Sequence, residues 1–112
     1  MNLRSQLLKG ILEGCILAII KQGSTYGYEL SVKLNEFGLT DISEGSIYPI
    51  LLRLQKEELI KGQMKPSLTG PKRKYYYLTP EGDEALKKFN EHWNQIKHPV
   101  DMILKGDKNN EG

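Results

Sequence analysis

The stretch LTGPKRKYYYLTPEG, residues 68–82, sets three cations against three tyrosines and stops at Thr-Pro-Glu-Gly. Residues 66–71 hold two prolines and a glycine, which is a turn composition. Residues 72–78 are rich in tyrosine, a strand-favouring residue, and residues 60–65 offer an extended partner upstream. Together they predict a β-hairpin. At the downstream end Thr79 can cap a helix, and Pro80 suits its first position, where a missing N–H costs nothing. Successive strand residues face opposite ways. Lys72 and Lys74 therefore share one face, and Arg73, Tyr75 and Tyr77 the other. The tyrosines are expected to pack this hairpin on a core while the cations near the turn reach outward.

Working outward, the charge is as uneven as the pattern. Residues 1–60 carry a net −1 and residues 80–112 a net −2, while residues 61–79 carry +5 with no acidic side chain. All the excess positive charge thus lies in and around the hairpin. Such a cluster is the footprint of a nucleic-acid contact, and equally of a solvated lysine-rich loop.

Upstream, Leu7, Leu8, Ile11, Leu12, Cys15, Ile16, Ile19 and Ile20 recur at helical spacing. They predict a first helix over residues 4–21, ended by Gly23 and buried on several sides in its second half. Gly10 and Gly14, one turn apart, suggest a close approach by another helix. Ser24 is expected to cap a second helix over residues 25–36, with Leu30, Leu34 and Phe37 inward and Gly38 as its stop. A third helix carries Ile47, Ile50, Leu51 and Leu54 on its buried stripe. Either Ser43 or Ser46 can cap it, and Pro49, best placed in a first turn, favours Ser46. Downstream of Thr79, the residues Leu86, Phe89, Trp93, Ile96, Val100 and Ile103 alternate spacings of three and four, an a/d seam. That seam is long for so small a chain, and it favours contact with a second copy over packing within the domain. Pro99 is expected to kink or end this helix near His98, and residues 105–112 read as a disordered tail.

Three helices, a hairpin and a long last helix define the expected fold. It is a mainly α (α+β) winged helix-turn-helix over residues 1–79 with a C-terminal dimerisation helix over 80–104. The 112 residues suffice for one modest core, and a hydrophobic content of 38% favours completing it by self-association. The single Cys15 allows no internal disulfide and suits a reducing compartment. No secretory pattern stands at the start, and the longest apolar run, residues 15–20, is too short for a membrane span. A cytoplasmic protein with no membrane partner is expected. Enzyme chemistry finds no support: there is no G-x-S-x-G, P-loop or C-x-x-C. His92 and His98, six apart, do not share a helical face as metal ligands would. No cofactor is expected.

In a helix-turn-helix the second helix of the pair enters the major groove. Ser43 and Ser46 can donate to phosphate or base, and Tyr48 can reach a phosphate or a thymine methyl. Pro49 lies beside them, and Arg53, about two turns in, can reach a base or a phosphate. Tyr28 on the second helix and Lys65, Lys72, Arg73 and Lys74 on the hairpin complete the expected contacts with double-stranded DNA.

The stretch LLKGILEGCILAII and the motifs TYGYEL, GSIYPILLRLQKEELI and GPKRKYYYLTPEG closely resemble the PadR family of transcriptional regulators, over about residues 5–96. The resemblance is to the short form, with a single C-terminal helix. It implies a homodimer, most often a repressor of a palindromic operator, released in several members by a phenolic or hydrophobic small molecule. It also implies that Trp93 lines an apolar pore at the dimer interface, with Leu8, Ile11, Cys15, Leu86 and Phe89 as further lining, or that Trp93 only packs that interface. The interface itself would comprise Leu7, Leu8, Ile11, Leu86, Phe89, Trp93, Ile96 and Val100. Two rival readings are a winged-helix protein-interaction module without a DNA role and a drug-sequestering protein.

Overall fold

The computed structural model describes residues 3–106. Their order is α1 (Leu3–Gln22), α2 (Gly27–Glu36), α3 (Glu44–Lys56), β1 (Ile60–Lys65), β2 (Arg73–Leu78) and α4 (Pro80–Lys105). β1 and β2 pair antiparallel from Ile60 opposite Leu78 to Lys65 opposite Arg73. This is the winged helix-turn-helix that the sequence predicts, with a long helix appended.

The core gathers one face from each element. Ile16, Leu30, Leu34, Ile47, Leu51 and Leu54 are sealed from solvent, each worth about 1.5–3 kcal/mol of burial. The second half of α1 is buried on several sides, because α2, α4 and the hairpin all pack on it. Gly14 lies under the Phe89 ring, where a Cβ would come within 2.3 Å of ring carbons. Gly10 meets nothing within 4 Å, so only one of the two α1 glycines marks a close approach, and it is to a side chain.

Four local expectations are corrected. The start of α2 is not capped by Ser24. The chain stays extended through Thr25, whose carbonyl accepts the Tyr76 N–H at 2.8 Å, and the helix starts only at Gly27 with no side-chain cap. Thr25 commits its backbone to the hairpin and its hydroxyl to Glu29 Oε1, 2.7 Å away. Phe37 lies past the helix end and is exposed, while Gly38 at φ +109° does stop α2. On α3 the cap is Ser43, whose hydroxyl accepts from the Ser46 N–H at 3.3 Å. Pro49 is therefore an interior residue. Its missing donor strands only the Gly45 carbonyl, which is exposed and can be hydrated. Finally, α4 runs through Pro99 to Lys105, where Gly106 in the left-handed region caps it. The carbonyl that Pro99 leaves unpaired belongs to Gln95, in an exposed turn, so solvent can satisfy it too. Residues 107–112 of the expected tail lie outside the described residues.

The Thr79 cap is as predicted: its hydroxyl accepts from the Gly82 N–H at 2.9 Å and also donates toward the Glu58 and Leu59 carbonyls. Lys21 at the end of α1 is ion-paired with Asp83 in the first turn of α4. The Lys21 hydrogen bond, with the charges of Lys21 and Lys87, holds the Asp83 carboxyl below its ordinary value. That increment of stability is present above the usual carboxylate range and fades as pH falls through the lowered value.

α4, at 26 residues, spans about 39 Å. Its first half packs through Ala85, Leu86 and Phe89, and from Asn90 on it stands off the domain. The radius of gyration of 16.4 Å exceeds the roughly 13 Å expected of a compact chain this long.

Candidate nucleic-acid interface

The hairpin explains its own sequence. Each of three cations rests over an aromatic ring: Arg73 is 4.5 Å from the Tyr26 centroid, Lys74 5.9 Å from Tyr76, and Lys65 5.2 and 5.1 Å from Tyr75 and Tyr77. Tyr26 and Tyr75 meet edge to face at 5.2 Å. The rings hold the cationic side chains in place while leaving their heads in solvent. Lys72, just before β2, is also exposed.

Of the three tyrosines expected to pack the hairpin on the core, one is sealed in it. Tyr76, on the Lys74 face, is the one sealed in the core, because its backbone is paired to Thr25. Tyr75 and Tyr77 are half-buried. Burial, and then the nearby Tyr48 phenol, push the Tyr76 hydroxyl above the ordinary phenol value. Both faces of the hairpin therefore carry a cation–tyrosine pair. Gly62, opposite Tyr76, leaves room for the Lys74 stem, whose Cε lies 2.2 Å from where a Cβ would be.

The start of α3 meets the hairpin across a cleft of about 420 Å³ lined by Tyr26, Tyr28, Glu44, Tyr48, Arg73 and Lys74. Tyr48 fits there because Gly27 has no side chain; a Cβ would sit 3.2 Å from its hydroxyl. Tyr28, Tyr48, Arg73 and Lys74 are thus brought together, and Ser43 and Ser46 are exposed at the α3 start. Arg53 is not among them. It lies on the flank facing α1, ion-paired with Glu13 and 4.0 Å from Glu57. Arg53, Ser46 and Pro49 line a separate hollow with Arg4, Leu8 and Lys9.

Sequence reasoning overlooked three residues here. Tyr26, the platform for Arg73, was hidden inside an expected helix. Glu13, the partner of Arg53, is 40 positions distant. Leu52 reads as part of an apolar run with Leu51 and Leu54, although the helical period alone turns it outward.

A second hollow of about 650 Å³ runs between α1 and α4. Leu7, Ile11, Phe89, Trp93, Ile96 and Val100 line it, with His92, Lys97 and Asp101 at its polar margin. Of the residues expected around Trp93, only Ile11 and Phe89 reach it. Leu8, Cys15 and Leu86 pack instead against the core of their own domain. Burial pushes the Cys15 thiol up, away from the reactive thiolate. Among the described residues no cluster of His, Cys, Asp or Glu is placed to hold a metal ion, and no helix is long and apolar enough to cross a membrane.

Known proteins are similar to this chain in fold or in sequence. A PadR-like transcriptional regulator from Bacillus cereus is 58% identical and superposes with a TM-score of 0.80, covering 89% of this chain and 97% of that one. A Streptococcus transcriptional regulator is 47% identical, with a TM-score of 0.78 over 88% of this chain and 96% of that one. An uncharacterised protein of Lysinibacillus sphaericus is 32% identical over 108 residues, 92% of this chain and 96% of its own. The profile of the transcriptional regulator PadR-like family matches residues 16–88, which span the helix-turn-helix, the hairpin and the start of α4, and the chain belongs to that family.

Proposed function

We propose that the protein is a homodimeric repressor that binds a palindromic operator and releases it when an apolar or aromatic small molecule enters the α1–α4 groove. The observation that carries the DNA half is the set of cations seated on tyrosines beside the exposed start of α3. That set matches a phosphate backbone flanking a major groove. Residues 1–79 act as the reading unit and 80–104 as the dimerisation helix. Two copies of α3 then enter successive major grooves about 34 Å apart. The homodimer is supported by the outer half of α4, where Trp93, Ile96 and Val100 are 40%, 52% and 44% exposed. A chain with so much unburied apolar surface on one helix gains most from a copy of itself. An operator-binding protein works in the cytoplasm, where the genome is.

The groove reading has a route to the DNA. α1 touches both ends of it: Gly14 packs under Phe89 of α4, and Glu13 holds Arg53 of α3. A ligand that parts α1 from α4 shifts the spacing of the two reading helices and lowers operator affinity.

Selection of bound fragments from the source genome at near-physiological salt tests the operator. Enrichment of a palindrome with half-sites one helical turn apart is the expected result, and recovery of unselected fragments counts against it. For the effector, Trp93 is the only tryptophan in the chain. Its fluorescence is expected to shift on titration with apolar aromatic compounds, and the responding compounds to weaken binding to the enriched fragments. A flat signal across a broad panel removes the effector site.

A further inference from the structure

We infer that Leu52 is a specificity-determining residue that reads the C5-methyl group of a thymine in the major groove. The inference rests on the operator-binding reading above. α3 buries Ile47, Leu51 and Leu54. The row at i, i+4, i+7 and i+11 on the opposite side, Gly45, Pro49, Leu52 and Lys56, points away from the domain, and all four are exposed. Leu52 leaves 66% of its surface open. One flank of this row leads to the hairpin, where Lys74 Nζ stands 3.5 Å from Gln55 Oε1. The other flank faces α1, where Glu13 holds Arg53. The row is therefore the part of α3 left projecting between two supports, and it is what a groove about 12 Å wide can admit.

What stands on the row decides what it can read. Gly45 has no side chain, and neither the Pro49 ring nor the Leu52 isobutyl group has a donor or acceptor. Lys56, at the far end, suits a phosphate. Arg53 is the only arginine of α3, with the planar fork that matches guanine, and it is ion-paired with Glu13 and lies 4.0 Å from Glu57. An apolar surface laid along base edges finds one apolar feature there, the thymine methyl. Tyr48, one turn before Leu52 and 47% exposed, extends the apolar strip toward the hairpin. The strip lies between the hairpin cations and Lys56. A lysine-rich border suits a polyanion, since protein interfaces are depleted in lysine.

The test uses the full chain and a duplex enriched from genomic fragments. Each thymidine of a half-site is replaced in turn by deoxyuridine, which removes only the methyl group. Wild-type protein is expected to lose about fourfold in affinity at one or two positions per half-site, the worth of one buried methyl group. Leu52→Ala is expected to bind the unmodified duplex about fourfold more weakly and to be indifferent to deoxyuridine at those same positions. Leu52 is exposed, so an unchanged melting transition verifies that the variant is folded. Indifference of the wild type at every thymidine overturns the assignment, as does a methyl effect that persists in Leu52→Ala. Failure to enrich any duplex is a separate result: it removes the operator reading, and this inference falls with it.

Discussion

Replacing Lys72, Arg73 and Lys74 together with alanine is expected to weaken operator binding by up to about a hundredfold for each hairpin engaged near 0.15 M salt, since each phosphate contact contributes about 0.9 to the salt slope. The plot of log affinity against log salt should flatten by up to about three contacts per hairpin. The loss should be about the same on operator and on unrelated duplex, because phosphate contacts position the protein without reading sequence. The fold should survive. Lys72 and Arg73 are exposed, and Lys74 contributes a stem over Gly62 rather than a buried group. Binding measured by fluorescence anisotropy over a salt series, beside a thermal melt, separates the two effects. A slope unchanged by the triple substitution would mean that the hairpin contacts a protein instead, and that the chain is an interaction module.

The second large effect is on stability. Gly82→Ala should destabilise the protein by about 3 kcal/mol, the upper part of the overpacking range. For a domain this small that lowers the melting temperature by roughly 12–20 °C at fixed protein concentration. Helix propensity alone argues the other way, by about 1 kcal/mol in favour of alanine. The packing decides the sign. A Cβ at residue 82 would lie 2.0 Å from the Leu59 carbonyl oxygen and 3.0 Å from Leu78 Cδ1. The first is backbone, held in place by the Thr79 N–H at 3.1 Å and the Thr79 hydroxyl at 3.0 Å. The methyl group can be admitted only by lifting the first turn of α4 off the hairpin junction, which also breaks the Thr79 cap. Chemical denaturation gives the value directly, and an unchanged or raised stability would sink the packing account.

The fold was legible because its signals are local. The alternation and turn composition around residues 60–78, the Thr79–Pro80 junction and the apolar periodicity of α1 each depend on residues within a few positions. What misled were positions where a distant partner overrules a local preference. Ser24 and Thr25 have the chemistry of a helix start, but Thr25 is claimed by Tyr76, 51 residues away. Pro49 and Pro99 are local breakers, yet each strands a single carbonyl in an exposed turn, so both helices run on. At the candidate site the cations and tyrosines could be counted in the sequence, but not their pairing. Strand alternation placed Tyr75 and Tyr77 correctly on one face, yet could not tell which face the core would take. Arg53 shows the limit most plainly. Its place on the helix was right, and an acid on another helix decided what its charge is free to do.

The outer half of α4 also bears on gene dosage. In the homodimer proposed above, a second copy covers that surface and the reading unit is complete only in pairs. While single chains predominate and the operator is mostly free, the number of pairs rises as the square of expression, so a twofold change in synthesis becomes about a fourfold change in operator occupancy. A cell could then tune its response through the promoter of this protein alone, without altering any residue that touches DNA.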